Sequence, residues 1–297
     1  MPKNRNDLSV QRLDAKTFLY RDDLFPFLGG GNKARKMMAL DPSLRRGGYN
    51  AIVTTGGIQS NHCRATALYC QKYSLKCTLV LHGNEEEFHD QLGNAKIIRN
   101  TGSELVFCDA EEISQAMDVA MSTYLSLGDR PYYLFGGGHT LEGGRAYIEE
   151  IEKLAKTGIE MERIFVPSGT GSTHAGILAG ISKCGLDTEV IGISVGRTKQ
   201  RGEAAVSEFY KRLCTSYDIP STGKIIVDDR FLCGGYQKFN AEIEAISKSS
   251  MFKYDLPLDT TYTGKAFYGM QQILKENPAI GNVMFWYTGG IYNYFAK

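Results

Sequence analysis

The sequence lacks a predominant charge, long apolar runs and an apolar leader, and each absence excludes a class of protein. Its 34 Lys and Arg residues balance 33 Asp and Glu, for a formal net charge of +1, so no broad electrostatic field favours a nucleic-acid partner. No segment approaches the roughly 18 consecutive apolar residues of a membrane helix. The first 16 residues, MPKNRNDLSVQRLDAK, are polar, unlike a signal peptide. We therefore expect a small-molecule partner and neither nucleic acid nor membrane.

The cysteines and histidines are few and dispersed. The seven cysteines are odd in number and form no paired C-x-x-C motif, and the five histidines form no ligand cluster. This pattern predicts no disulfide framework and no metal site. Free thiols are typical of a reducing compartment, so we expect a cytoplasmic protein.

Apolar runs alternate with longer amphipathic segments along the chain. The length of 297 residues favours two domains or one large α/β unit. Parallel strands need long crossover segments, so the alternation predicts parallel sheets covered by helices. The expected strands are 51–55, 77–81, 104–107, 132–135, 164–166, 190–195, 225–227 and 283–287, and the expected helices include 111–125, 141–154 and 263–274.

Three glycine-rich junctions lie where a strand should end and a helix begin. There, free backbone amides and the helix dipole attract anions. The junction at 56–62 suits either a ligand or a plain helix N-cap formed by Ser60 or Asn61. The junction at 166–176 (VPSGTGSTHAG) favours a bound phosphomonoester over a flexible loop, because its dense backbone amides and hydroxyls suit a phosphate. It has neither the lysine of a Walker A loop nor a dinucleotide spacing. The junction at 286–290 taken alone favours a simple turn.

A fourth glycine-rich segment ends in a lysine. Gly29, Gly30 and Gly31 precede Asn32 and Lys33. A lone lysine is normally a solvated surface charge, but a lysine at such a bend, in a chain with a separate phosphate loop, suggests a Schiff base. It must lose its proton to react, and the neighbouring cations at positions 35 and 36 are expected to lower its pKa.

Taken together, these segments resemble the fold-type II pyridoxal-phosphate (PLP) enzymes of the 1-aminocyclopropane-1-carboxylate deaminase and D-cysteine desulfhydrase family. The resemblance covers nearly the whole chain from about Leu19. The matching blocks are RDDL at 21–24, GGNKARK at 30–36, GGIQSNHCR at 56–64, YYLFGGGH at 132–139, GSTHAG at 171–176, GY at 235–236, YTGK at 262–265 and TGG at 288–290.

The resemblance implies a fold like the β-subunit of tryptophan synthase, with two open twisted sheets covered by helices. It implies a large domain of residues 1–35 and 139–297, a small domain of residues 36–138, the cofactor in a cleft between them, and a homodimer. The implied catalytic residues are Lys33, which would form the Schiff base, Ser60, Tyr236 and Tyr262. The implied cofactor-binding residues are Lys33, Asn61 for the 3′-oxygen, Gly169, Thr170, Gly171, Ser172 and Thr173 for the phosphate, and Thr288 for the pyridine nitrogen. The implied substrate-binding residues are Gln59, Ser60, Asn61 and His62.

The resemblance further implies α,β-elimination on a small amino acid, with D-cysteine giving pyruvate, sulfide and ammonia. Ser60 would bind the substrate carboxylate, act as base or act as nucleophile. Thr263 resembles the desulfhydrase version, since the deaminase has Glu there, and a neutral ring-nitrogen environment suits elimination of a good leaving group. The phosphate loop is closer to the deaminase. Ring opening, β-replacement and a non-catalytic PLP-binding role remain alternatives. Tyr287, where the family commonly has His, and the unfamiliar segment 240–255 suggest a changed substrate.

Overall fold

A computed structural model describes residues 9–296 of the chain. Residues 1–8 of the polar N-terminal segment lie outside this range. The strands are β1 (Val10–Arg12), β2 (Thr17–Arg21), β3 (Ala51–Gly57), β4 (Lys76–His82), β5 (Glu104–Cys108), β6 (Pro131–Leu134), β7 (Arg163–Ser168), β8 (Glu189–Ser194), β9 (Ile226–Asp228) and β10 (Val283–Tyr287). The helices are α1 (Gly31–Arg46), α2 (Asn61–Tyr73), α3 (Glu85–Asp90), α4 (Gly93–Arg99), α5 (Ile113–Ser126), α6 (Leu141–Ala155), α7 (Ser172–Cys184), α8 (Lys199–Tyr217), α9 (Ala241–Tyr254), α10 (Thr263–Glu276) and α11 (Ile291–Tyr294).

The predicted alternation of strands and helices is confirmed. All eight expected strands form within one or two residues of their expected bounds, and the three expected helices are α5, α6 and α10. Strands β1 and β2 were not predicted. They are short, and β2 enters the sheet only by pairing with β10, more than 260 residues away in the sequence.

The chain divides into two compact units, each with its own parallel sheet. The first unit consists of the chain up to Phe25 and Gly144–Gly290, and the second consists of Pro26–Gly143 and the chain from Ile291 onward. In this division Lys33 lies in the second unit. The domain bounds expected from the family resemblance stay a prediction.

The sheet of the first unit has the strand order β1-β2-β10-β7-β8-β9, in which only the β1–β2 pair is antiparallel. Its core includes the buried side chains of Phe165, Ile193, Phe267 and Phe285. In this sheet β2, β10, β7, β8 and β9 all run parallel. The segments that follow β7, β8 and β10 therefore leave the same edge of the sheet.

The sheet of the second unit has the order β5-β4-β3-β6, with all pairs parallel. Val53, Val80, Met117 and Tyr124 are buried in a cluster that joins it to α5. The segments after β3 and β6, which begin at Ile58 and Phe135, therefore also leave one common edge.

Three further findings concern the described part of the chain. None of its helices is long and apolar enough to cross a membrane. Its His, Cys, Asp and Glu side chains form no group of three that could hold a metal ion. All seven cysteines lie in the described range and are free thiols.

Candidate active site

Lys33 lies in the first turn of α1, directly after a left-handed bend. Gly29, Gly30 and Gly31 have φ angles of +76°, +71° and +83°, a region that L-residues with a side chain rarely adopt. The bend brings the chain into α1 so that Lys33 Nζ donates to the main-chain oxygen of Gly137 at 3.1 Å. Gly137 belongs to the segment after β6, so the lysine points to the carboxyl edge of its own sheet.

The Lys33 amine has a lowered pKa. Its side chain is only partly exposed, and burial lowers the pKa of the amine to about 8. The direction agrees with the sequence prediction, but the cause is burial rather than the two neighbouring cations. A buried amine that loses its proton near neutral pH is suited to nucleophilic attack on an aldehyde.

Arg64 of α2 holds the glycine bend in place. Its guanidinium donates to the main-chain oxygens of Leu28 and Gly29 at 2.9 Å each, and of Gly30 at 3.2 Å. The side chain is buried, and the ring of Tyr292 lies 4.8 Å from the guanidinium carbon. Because a guanidinium presents several donors in a fixed plane, it can bind three successive carbonyls that a left-handed bend turns to one side.

Ser60 and Asn61 begin α2 after β3. Ser60 is the N-cap, and its Oγ accepts from the amide of Cys63 at 3.2 Å, an interaction worth about 1 kcal/mol. This bond uses an oxygen lone pair and leaves the hydroxyl proton for donation. Asn61 Oδ1 accepts from Nδ2 of Asn94 at 3.0 Å, so the Asn61 amide is oriented with its NH2 group available as a donor.

Gln59 and His62, the other two expected substrate-binding residues, are engaged within the second unit. Gln59 Nε2 donates to Gln91 and to the oxygen of Leu92, while its Oε1 accepts from the amides of Asn94 and Ala95. The Gln59 side chain therefore holds the segment between α3 and α4. Its role toward a substrate stays a prediction.

His62 is buried and neutral. Thr54 donates its single hydroxyl proton to the oxygen of Leu134 at 2.7 Å, so His62 Nε2 must donate to Thr54 Oγ1, 2.8 Å away. Burial lowers the pKa of His62 to about 3, with smaller contributions from the nearby ammonium groups of Lys33 and Lys36. The ring therefore carries its proton on Nε2 and holds no charge at neutral pH.

The predicted phosphate loop connects β7 to α7. Gly171 is the N-cap of α7 at φ +89°, and no side chain caps the helix amides. The loop supplies hydroxyls from Thr170, Ser172 and Thr173, the last two on buried side chains. Arg197 Nη1 donates to the oxygen of Gly169 at 2.8 Å and adds positive charge behind the loop. Uncapped amides at the positive end of a 13-residue helix form an anion site.

Thr288 follows β10 in the same unit and is nearly buried. It leads into Gly290, where a Cβ would lie 2.6 Å from a carboxylate oxygen of Asp259. Asp259 is itself buried, and its other contacts are with the start of α10: it accepts from the hydroxyl of Thr263 at 2.7 Å and from the amides of 261–263. Burial raises the pKa of Asp259. The surroundings of Thr263 are therefore not neutral as expected, because the carboxyl group of Asp259 lies against its hydroxyl.

Tyr236 and Tyr262 are brought together. Their hydroxyls share a short hydrogen bond, and their rings meet edge to face with centroids 5.8 Å apart. Tyr287, by contrast, is fully buried in the core, and its hydroxyl donates to the main-chain oxygen of Pro257 at 2.8 Å. It supports the segment that leads to Asp259.

Comparison with known proteins identifies the family. The family model described as pyridoxal-phosphate dependent enzyme matches residues 5–286. The chain belongs to this family. It is 30% identical over 296 residues to the D-cysteine desulfhydrases of two Klebsiella pneumoniae strains, which covers 96% of this chain and 89% of each relative.

Solved structures agree with this assignment. A structure of an ACC deaminase homologue matches with a TM-score of 0.87 and 29% identity, covering 94% of this chain and 86% of the other. A hydrogen sulfide-producing enzyme from Fusobacterium nucleatum matches with a TM-score of 0.67 and 12% identity, covering 97% of this chain and 96% of the other. At this identity the match shows a similar fold. The predicted fold type, family and PLP cofactor are confirmed.

The residues present fit PLP. In the second unit, the amine of Lys33 has the lowered pKa that bond formation with the cofactor aldehyde requires. In the first unit, the uncapped start of α7 and its hydroxyls match a phosphate. The individual site residues taken from the resemblance stay predictions.

Sequence reasoning missed the roles of four supporting residues. Arg64, Asn94, Asp259 and Arg197 each bind main chain or another site residue, at separations of 28 to 36 residues for all but Asp259. Arg64 lies within the matching block at 56–64, but no sequence motif identifies the main-chain carbonyls that accept its hydrogen bonds. Asp259 lies four residues before the start of α10, and Tyr262 is the N-cap of that helix, so the usual capping pattern does not identify Asp259.

Proposed function

We propose that this enzyme catalyses α,β-elimination on D-cysteine, which with water gives pyruvate, hydrogen sulfide and ammonia. The observation that carries the proposal is the Lys33 amine, with its pKa near 8 at the end of a glycine bend, in a chain 30% identical to D-cysteine desulfhydrases. When bound, the cofactor supplies an electron sink for negative charge at the substrate α-carbon.

Lys33 would hold the cofactor and move the α-proton. A lysine can act as a base near neutral pH only if part of its population is unprotonated, and the pKa of about 8 that burial gives Lys33 provides this. The hydrogen bond from Nζ to Gly137 fixes the direction of the side chain. Lys33 thus combines attachment and proton transfer in one group.

The start of α2 would bind the substrate carboxylate. Ser60 keeps its hydroxyl proton for donation, because its Oγ accepts the capping bond. The positive end of the helix dipole favours an anion at this position. Of the three roles open to Ser60, carboxylate binding therefore has the most support. Asn61, oriented by Asn94, would donate to the 3′-oxygen of the cofactor.

The hydrogen-bonded Tyr236 and Tyr262 would manage the proton of the leaving group. A phenol that accepts a hydrogen bond from a second phenol is a better anion stabiliser than one in isolation. Departure of a thiol from the β-carbon needs either a proton or a stabilised thiolate. The pair could supply both.

The test is an assay of purified holoenzyme against a panel of D- and L-cysteine, 1-aminocyclopropane-1-carboxylate and O-acetylserine with added sulfide. We expect pyruvate and sulfide from D-cysteine, and no product from Lys33→Ala. A holoenzyme that retains its cofactor absorbance but releases no keto acid from any of these would contradict the proposal. A new amino acid from O-acetylserine would instead indicate β-replacement.

A specific observation favours a second candidate, ring-opening deamination of 1-aminocyclopropane-1-carboxylate. The carboxyl group of Asp259 hydrogen-bonds Thr263, at the position where the deaminases have Glu. Asp259 would supply the negative charge that ring opening demands. Under this alternative, Asp259→Asn lowers release of 2-oxobutyrate from the cyclopropane substrate more than release of pyruvate from D-cysteine. Equal losses on both substrates would count against it.

The compartment and assembly are further proposals. We propose a cytoplasmic homodimer, with the free state of all seven thiols as support for a reducing compartment. Sedimentation equilibrium of the holoenzyme tests the dimer. A monomer at micromolar concentration would contradict it.

A further inference from the structure

Lys265 of α10 is a fully buried lysine whose ammonium lies in a cage of main-chain oxygens. Its Nζ donates to the carbonyls of Leu232 at 2.9 Å, Gly235 at 2.8 Å and Val195 at 3.3 Å. An ammonium group has three N–H donors. The three carbonyls match them one for one.

The cage joins two separate segments. Val195 lies at the end of β8, whereas Leu232 and Gly235 bracket a turn after β9. This turn is left-handed at three successive residues, with φ of +54° at Cys233, +88° at Gly234 and +137° at Gly235. The conformation at Cys233 is unfavourable for a residue with a side chain, and the bonds from Nζ offset that cost.

Tyr236 is held by contacts that lie close to this cage. Gly235, one residue before it, accepts from Nζ. Its side chain packs on Gly196, which follows Val195, so closely that a Cβ on Gly196 would lie 3.3 Å from Tyr236 Cβ. Its hydroxyl bonds Tyr262, which precedes Lys265 by one helical turn. Gly235, Gly196 and Tyr262 thus each lie within three residues of a group in the cage, or belong to it.

We propose that Lys265 is a positioning residue that serves as a built-in monovalent cation, holding three carbonyls together and thereby holding Tyr236 against Tyr262. The effect of Lys265 on turnover rests on the proposed function, in which these tyrosines act on the substrate. A neutral donor cannot replace it, because a neutral amine has two N–H groups and would turn a lone pair toward one carbonyl. Burial lowers the pKa of Lys265, and the nearby carboxyl group of Asp259 acts against that shift.

The test compares two variants of the holoenzyme that differ in the space they leave. Lys265→Ala opens a channel in which an ammonium ion can reach the three carbonyls, while Lys265→Met refills the stem without a charge. Lys248→Ala is the matched control, because Lys248 is an exposed lysine paired with Glu244 on α9. Each protein is measured in ammonium chloride and in tetramethylammonium chloride at equal ionic strength.

We expect ammonium to raise the thermal midpoint of Lys265→Ala by about 3 °C or more, with no such response in Lys265→Met, Lys248→Ala or the unmodified enzyme. Both Lys265 variants should retain the cofactor and lose about 100-fold in kcat/KM for the amino acid, as expected from a misplaced side chain. Ammonium should restore part of this loss in Lys265→Ala alone. Unmodified kinetics in Lys265→Met, or equal behaviour of both variants in both salts, would overturn the proposal.

The thermal response requires no turnover, so it separates this inference from the proposed function. An ammonium-specific stabilisation supports the cage even if no amino acid in the panel reacts. If Lys265→Ala is not recovered folded, its refolding yield is compared in the two salts. A yield that depends on ammonium supports the proposal, and equal failure in both salts contradicts it.

Discussion

Asn94 donates from Nδ2 to Oδ1 of Asn61 at 3.0 Å, and this one bond decides which end of the Asn61 amide is left to face a ligand. Asn94 is fully buried at the start of α4 and also donates to the main-chain oxygen of Gln59 at 3.1 Å. Its amide therefore fixes Asn61 as a donor without itself needing to touch the cofactor.

We expect Asn94→Asp to weaken PLP binding about tenfold, because a carboxylate cannot donate to Asn61 and a lost buried hydrogen bond costs about 1–2 kcal/mol. Fluorescence titration of the apoenzyme with PLP measures the effect, with Asn100→Asp on the exposed end of α4 as the control. Equal affinity in Asn94→Asp and the unmodified enzyme would refute the role.

The lowered pKa of Lys33 predicts how the apoenzyme takes up its cofactor. The rate of bond formation with the PLP aldehyde follows the neutral amine, so it should rise with pH and level off above about 8. Stopped-flow absorbance at graded pH measures this rate, and Lys33→Ala should show no such phase. A midpoint near 10.5, the ordinary value for lysine, would show that the amine is not depressed.

Arg64 should be irreplaceable by lysine. Lys cannot reach three carbonyls in one plane, so Arg64→Lys should loosen the bend before Lys33 and destabilise the protein by about 2–4 kcal/mol. Urea unfolding gives the stability, and the PLP affinity should fall in parallel. The control is Arg145→Lys, because Arg145 is exposed and paired with Glu149. If Arg64→Lys and Arg145→Lys lower the free energy of unfolding by the same small amount, the bonds from Arg64 to the three carbonyls contribute nothing to stability.

Two buried histidines predict acid sensitivity. Burial lowers the pKa of His174 to about 4 and that of His62 to about 3, against 6.5 in the unfolded chain. The unfolded state therefore binds more protons below pH 6.5, so stability is lost as pH falls, by up to about 1.4 kcal/mol per pH unit for each ring.

Replacing His174 with Met, which is of similar size and does not titrate, should reduce that slope between pH 6 and 4.5 by about one ring's contribution. Urea unfolding at graded pH measures it, and exposed His89→Gln should leave the slope as it was. An unaltered slope in His174→Met would mean that the ring is already charged in the native state.

Features that depend on near neighbours in the chain can be predicted from the sequence alone. The alternation of apolar runs and amphipathic segments predicted eight strands, since burial on both faces of a parallel sheet leaves a continuous apolar run. The triple glycine before Lys33 indicated a bend, because glycine adopts left-handed backbone conformations at little cost, and all three glycines have positive φ. The glycine-rich segment 166–176 predicted a junction between a strand and a helix, and α7 begins within it.

The contacts that hold these features in place become visible only in the tertiary structure. Strand β2 exists through its pairing with β10, and Arg64, Asn94 and Lys265 act on groups 30 to 70 residues away. Their partners are largely main-chain carbonyls, which every residue possesses and which therefore leave no mark in the sequence. Which carbonyls converge on a buried cation depends on how the strands and turns are folded together, and that is a property of the fold as a whole.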